Sequence, residues 1–201
     1  MKTNRIPVIT ISRKFSAGGR SLAKALSERL GIPWYDKDFV TMTAGDSGYS
    51  EEEIQAEGEE LSGSQRVLDA ILNNAAAYTS SHDAIFKAQC EVMLDLAKKP
   101  CIIVGRCGNI ILPKAGVDTF SLFLHGDVDV RIKRTMETYG LGEAEALKHL
   151  EKKDSNRSNY YKKYTGHEMN CADDYTLCLD TSKIDIESAA DIICTLIKNG
   201  N

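Results

Sequence analysis

Ser12-Arg13-Lys14-Phe15-Ser16-Ala17-Gly18-Gly19-Arg20-Ser21 is the stretch whose reading decides the fold. The apolar run Pro7-Val8-Ile9-Thr10-Ile11 leads into it, and Leu22, Ala23, Leu26 and Leu30 follow at helical spacing. Strand, small-residue loop, helix is the setting in which a loop binds phosphate, because loop amides and the helix N-terminus then point at one anion. The usual pattern is G-x-x-x-x-G-K-[ST]. Residues 14–21 read K-x-x-x-x-G-R-S, so Lys14 stands for the first glycine and Arg20 for the lysine. Gly19 and the Ser21 hydroxyl remain. A Gly-rich turn with a solvated Arg20 would carry the same letters.

With 201 residues, 42% of them hydrophobic, the chain suits one α/β domain over 1–201 with a substantial core. A net charge of -4 argues against a general nucleic-acid binder. No apolar run is long enough to span a bilayer, so no membrane partner is expected. Met1-Lys2-Thr3-Asn4-Arg5 runs straight into a strand without a secretory apolar region. Cys90, Cys101, Cys107, Cys171, Cys178 and Cys194 form no C-x-x-C pair, and several sit in apolar runs, where a reduced thiol is expected. No metal site is read from them or from the four histidines. The expected compartment is the cytoplasm.

Gly31 is a stop signal for the first helix. Ile32-Pro33-Trp34-Tyr35-Asp36 then reads as a short strand, which puts Asp36 at the edge that carries the Gly-rich loop. Residues from about 37 to 83 hold acidic runs and a helical pattern but no strand signal, and read as a helical insertion over the crevice. Phe86, Cys90, Met93, Leu94 and Ala97 share a helix face. Cys101-Ile102-Ile103-Val104 is the continuous apolar run of a strand buried on both faces, and it ends in Gly105-Arg106. Phe120-Ser121-Leu122-Phe123-Leu124 is another. Asp127 is placed to cap the next helix, whose apolar stripe is Val128, Ile132 and Met136, with Arg131 and Arg134 off it. A further helix is expected over 143–153. Residues 154–166, polar and aromatic, read as a mobile or ligand-organised segment. The last strand is expected over 175–179. The last helix is expected over 185–198, with Ile186, Ala189, Ala190, Ile193, Leu196 and Ile197 toward the sheet. Strands alternating with helices predict a parallel sheet covered on both faces.

A phosphate loop after the first strand, Gly105-Arg106 ending a later strand, and Arg157 in a polar segment before the last strand together suit phosphoryl transfer. In these residues the chain resembles the cytidylate kinase-like family of P-loop nucleoside monophosphate kinases. The match lies in Ile9-Thr10-Ile11-Ser12-Arg13, Gly18-Gly19-Arg20, Leu30-Gly31-Ile32-Pro33, Tyr35-Asp36-Lys37, Gly105-Arg106, and Asp154-x-x-Arg157-x-x-Tyr160-Tyr161 through Thr165-Gly166. The resemblance implies a three-layer P-loop kinase fold. That fold has a five-stranded parallel sheet with helices on both faces, a helical acceptor-binding insertion and an arginine-bearing lid at about 139–168. It implies transfer of phosphate from ATP to a nucleoside monophosphate, with CMP as a candidate acceptor and Mg2+ as cofactor, so that small-molecule nucleotides are the expected partners.

Carried over by position, Gly105-Arg106 is similar to the Gly-Arg whose arginine holds the acceptor phosphate. Asp154-x-x-Arg157 is similar to the Asp-x-x-Arg at the lid and acceptor end, and Asp36 to the acid closing the second strand. Arg131 and Arg134 match the arginine-bearing helix that leads into the lid. The resemblance thus implies that Ser16, Ala17, Gly18, Gly19, Arg20 and Ser21 cradle the donor phosphates and that Ser21 helps hold Mg2+. Asp36, Arg106, Asp154 and Arg157 would bind the acceptor, and Arg20, Arg131, Arg134 and Arg157 would supply catalytic charge. No general base is required, because a monophosphate is already ionised.

Two positions depart from true cytidylate kinases: Arg20 replaces the loop lysine, and Lys37 replaces a small hydroxyl residue. A guanidinium is not an equivalent of an ammonium. Each arginine also has a structural alternative: Arg106 in an ion pair, Arg131 and Arg134 as solvated helix residues. Tyr160, Tyr161 and Tyr164 suit packing with wet hydroxyls. A nucleotide-binding module without turnover, or a small-molecule kinase with a non-nucleotide acceptor, shares these outlines.

Overall fold

The computed structural model describes residues 6–36 and 81–199. The expected insertion therefore lies outside the described residues over 37–80, as does Lys37. Along the chain the elements are β1 (Val8–Arg13), α1 (Gly19–Leu30), β2 (Trp34–Tyr35), α2 (Ser81–Leu96), β3 (Ile102–Val104) and α3 (Gly108–Lys114). They continue with β4 (Thr119–His125), α4 (Val128–Tyr139), α5 (Glu143–Thr165), a 3-10 turn (Ala172–Asp174), β5 (Leu177–Asp180) and α6 (Ile186–Asn199).

The strands form one parallel sheet in the order β2-β3-β1-β4-β5. β1 is central and buried along its whole length. Side chains alternate between the two faces of a strand, and each face here finds its own helices. Ile9, Ile11, Ile102, Val104, Leu122 and Leu124 pack with residues of α1 and α6. Val8 and Ile103 pack on the other face with Val92 and Met93 of α2 and Leu112 of α3. This is the three-layer α/β arrangement the sequence predicts. From β1 the chain passes to β2 at one edge, returns to β3 beside β1, and then crosses to β4 on the other side of β1, so the order reverses at β1, the position where open α/β sheets bind ligands.

Several local expectations are corrected. Residues 143–165 form a single 23-residue helix, not a helix followed by a mobile segment. The polar letters hid a buried stripe: Ala146, Leu150, Asp154, Tyr160 and Tyr161 all face inward. Tyr160 Oη donates to Gln89 Oε1 at 3.0 Å, Tyr161 Oη accepts from Asn109 Nδ2 at 2.7 Å, and Phe86 stacks on Tyr164 with centroids 3.9 Å apart. Helix α5 ends only at Gly166, whose φ of 77° lets the chain turn away. Asp127 occupies the N-cap position of α4 but makes no side-chain cap bond; its carboxylate takes Lys183 Nζ at 3.1 Å instead. On α6, Leu196 is exposed and Cys194 is buried in its place. None of the described cysteines forms a disulfide. No described helix is long and apolar enough to cross a membrane.

Candidate active site

Two loops at the carboxyl edge of the sheet build the site. The first follows β1. Lys14 N–H donates to Leu124 O (2.9 Å) and Ala17 N–H to Lys14 O (3.3 Å), which turns the chain back toward α1. Ser16 and Gly18 adopt left-handed φ values of 55° and 82°. At Gly19 a Cβ would lie 3.0 Å from Arg13 Cγ, so glycine there makes room for the arginine side chain. Gly18, the N-cap of α1, offers no side-chain cap, and the first turn holds no acid. Leu22 N–H is bonded to Gly18 O (2.9 Å), and the amides of Gly19, Arg20 and Ser21 precede any intrahelical acceptor. An uncapped N-terminus of this kind favours an anion.

A cavity of about 220 Å³ opens over this loop. Arg13, Lys14, Arg20 and Arg157 line it, and among the described residues no carboxylate does. Ser21 lines it too, and its hydroxyl has no hydrogen-bond partner among the described residues. A serine hydroxyl at this loop position is a fitting Mg2+ ligand beside bound phosphates.

The second loop follows β3. Gly105, Arg106 and Cys107 are three successive left-handed residues, with φ of 84°, 58° and 57°. Arg106 and Cys107 are not glycines, so the surroundings must hold this conformation. Gly105 N–H is tied to Ile11 O at 2.9 Å. The turn drives Arg106 inward: the residue is only 6% exposed, and its Nε and Nη1 are buried with no hydrogen-bond partner among the described residues. Arg106 lines a cavity of about 20 Å³ with Ser12, Arg13, Arg157, Tyr160 and Tyr161. Ser12 Oγ donates to Asn109 Oδ1 (3.3 Å), linking this wall to Tyr161 through Asn109. Burial pushes the Tyr161 phenol up to about 12, so the hydroxyl stays protonated at neutral pH. Arg13 and Arg157 line both cavities, so the two lie side by side across these arginines.

The structure thus brings the Gly-rich loop, Arg106 and Arg157 together. Arg131, Arg134, Asp154 and Asp36 line neither cavity. Asp36, 5% exposed, receives Arg20 Nε and lies 3.5 Å from Arg13 Nη2. Arg131, also 5% exposed, donates to Asp154 Oδ2, Phe15 O and Gly126 O. Arg134 donates to Thr181 O and Oγ1, and to Ser16 O. Neither arginine of α4 is a solvated surface residue. The Arg157 guanidinium lies 5.5 Å over the Phe15 ring.

Arg13 is a further lining residue that the motif pattern does not single out, and its sequence signal is an arginine closing an apolar strand at the loop edge. Thr135 and Asn109 gave no such signal.

The sequence matches the profile described as "Cytidylate kinase-like family" over residues 8–183. No curated protein matches it. Among solved structures, a protein of Eubacterium ventriosum described only as uncharacterized is 27% identical and superposes with a TM-score of 0.69, covering 95% of this chain and 98% of that one. A shikimate kinase from Bacteroides thetaiotaomicron is 14% identical with a TM-score of 0.57, covering 96% and 98%. A shikimate kinase from Acinetobacter baumannii is 16% identical with a TM-score of 0.52, covering 98% and 95%. At those identities the two kinases attest the fold alone.

Proposed function

The chain belongs to the cytidylate kinase-like family, and from that premise we propose that it transfers a phosphoryl group from ATP to a nucleoside monophosphate, CMP being the first candidate, with Mg2+ as cofactor. The observation that carries the reading is Arg106. A buried guanidinium with unmet donors costs several kcal/mol on the order of a buried unpaired charge. Its place in a cavity that shares Arg13 and Arg157 with the cavity over the Gly-rich loop fits a site that waits for an anion.

The division of labour follows from the two cavities. The amides at the start of α1, with Lys14 and Arg20, suit the terminal phosphates of the donor. Ser21 would hold Mg2+, which when bound neutralises charge on the donor phosphates. Arg106 and Arg13 suit the acceptor phosphate. Arg157, lining both cavities, is placed to face the phosphoryl group in transit. The acceptor oxygen attacks as an ionised phosphate and needs no base.

Titration calorimetry with nucleoside monophosphates tests the acceptor end. The wild type is expected to bind, and Arg106→Met to lose at least about tenfold in affinity, the scale of a charged hydrogen bond. Equal affinity in both proteins would remove Arg106 from the site. A second reading, a nucleotide-binding module without turnover, is favoured by one observation: Arg20 engages Asp36 through Nε instead of standing as a free loop cation.

A further inference from the structure

We propose that Asp154 and Arg131 are positioning residues of the donor loop. As an ion pair they clamp the peptide groups of Phe15, and they touch neither the acceptor nor the group transferred. The inference rests on the reading that this loop binds donor phosphates.

Asp154 Oδ1 accepts the Phe15 N–H at 2.7 Å, and its Oδ2 accepts Arg131 Nη1 at 2.7 Å. The same Nη1 reaches Phe15 O at 3.2 Å. One ion pair therefore holds both the N–H and the C=O of a single loop residue. Arg131 Nε is anchored to Gly126 O at 3.1 Å, which fixes the guanidinium from behind.

The next residue is held in the same way. Ser16 is a non-glycine at φ 55°, a conformation that persists only where neighbours enforce it. Thr135 Oγ1 donates to Arg131 O (2.8 Å), so its lone pairs are left to accept from Ser16 Oγ at 2.8 Å. Arg134 Nη1 reaches Ser16 O at 3.4 Å. Four side chains from α4 and α5 thus grip residues 15 and 16 in a loop where Lys14 stands at the usual glycine position. The amides at the start of α1 follow directly, so their direction depends on this grip.

The family resemblance sets Asp154 at the acceptor end, and the geometry points elsewhere. Both carboxylate oxygens are occupied by protein donors, and the residue is 9% exposed and lines neither cavity. Arg157, one turn further along α5, is the residue that reaches the crevice. One helix therefore ties the back of the donor loop to the arginine lining both cavities.

The test is a split between donor and acceptor affinity, measured by titration calorimetry with MgATP and with nucleoside monophosphates on proteins shown folded by circular dichroism. Asp154→Asn keeps an acceptor for Phe15 N–H but loses the charge that holds Arg131. It is expected to weaken MgATP binding by about tenfold or more while monophosphate binding stays within about twofold. Thr135→Val leaves every charge in place and is expected to weaken MgATP binding by a smaller factor in the same direction. If Asp154→Asn does not fold, Thr135→Val decides. Unchanged MgATP affinity in the folded variants, or a loss confined to the monophosphate, overturns the proposal while leaving the kinase reading intact. A wild type that binds no MgATP overturns both.

Discussion

Arg20 donates through Nε to Asp36, and the same carboxylate lies 3.5 Å from Arg13 Nη2, so one buried acid serves two arginines beside the Gly-rich loop. The two halves are unequal in energy. The Arg20 side chain is 55% exposed, so solvent screens its half. Arg13 and Asp36 are both buried, and removing one partner of such a pair costs about 3 kcal/mol. Asp36→Ala is therefore expected to lower Tm by about 6–12 °C in a chain of this size. Thermal unfolding followed by fluorescence checks this, and an unchanged Tm would contradict it.

The same contact bears on why arginine replaces lysine in the loop. A guanidinium can leave Nε on Asp36 and still present its two terminal nitrogens to a phosphate, whereas an ammonium has one donor centre. Arg20→Lys is expected to lower kcat/KM for ATP by about tenfold, the scale of one charged hydrogen bond. Steady-state kinetics at fixed acceptor measures it. A rise on restoring lysine would show that the loop was not shaped around Arg20.

Much of this architecture was legible in the chain, and the reasons differ by residue. β1 and β3 were readable because a strand covered on both faces must be apolar throughout, and the Gly18-Gly19 and Gly105-Arg106 turns mark where each strand meets the crevice. Beyond residue 153 the sequence of α5 reads as a polar segment, because its buried positions carry Asp154, Tyr160 and Tyr161, whose polar atoms are satisfied by partners no periodicity reveals. The bond from Phe15 to Asp154 spans 139 residues, and that from Ser16 to Thr135 spans 119. Arg131 reads as lying off the apolar stripe of α4, yet it is buried with Ile132 and Thr135 while Val128 of that stripe is exposed, because the loop and α5 cover the Arg131 flank of the helix.

Arg106 gives a prediction in which stability and binding move apart. Its Nε and Nη1 are buried and have no hydrogen-bond partner among the described residues. Methionine has a similar reach and no donors to leave unmet. Arg106→Met is expected to stabilise the folded state by about 1–3 kcal/mol, the desolvation penalty relieved, while monophosphate affinity is lost. Chemical denaturation read beside ligand titration checks both halves. A destabilised variant would mean that Arg106 serves the fold.

Stability should also fall in alkali. Burial pushes the thiols of Cys90 and Cys101 up to about 11 and the Tyr161 phenol up to about 12. These groups lose their protons at lower pH in the unfolded chain than in the folded one. The folded state therefore holds more protons, and stability drops as pH rises. The thiol contribution is intact below about pH 9 and is lost progressively toward pH 11. Urea unfolding at pH 8 and pH 10 is expected to show a lower midpoint at pH 10, with Cys101→Ala reducing the difference. A midpoint that does not fall would contradict the assignment.

Phosphorus NMR of the wild-type protein with ATP, Mg2+ and each common nucleoside monophosphate in turn tests the central claim most directly. The account predicts that ADP and the matching nucleoside diphosphate accumulate together for at least one monophosphate, and that at subsaturating monophosphate Arg106→Met slows both signals by about tenfold or more. ATP that remains unchanged with every monophosphate, in a protein that binds MgATP, would contradict phosphoryl transfer to a nucleotide.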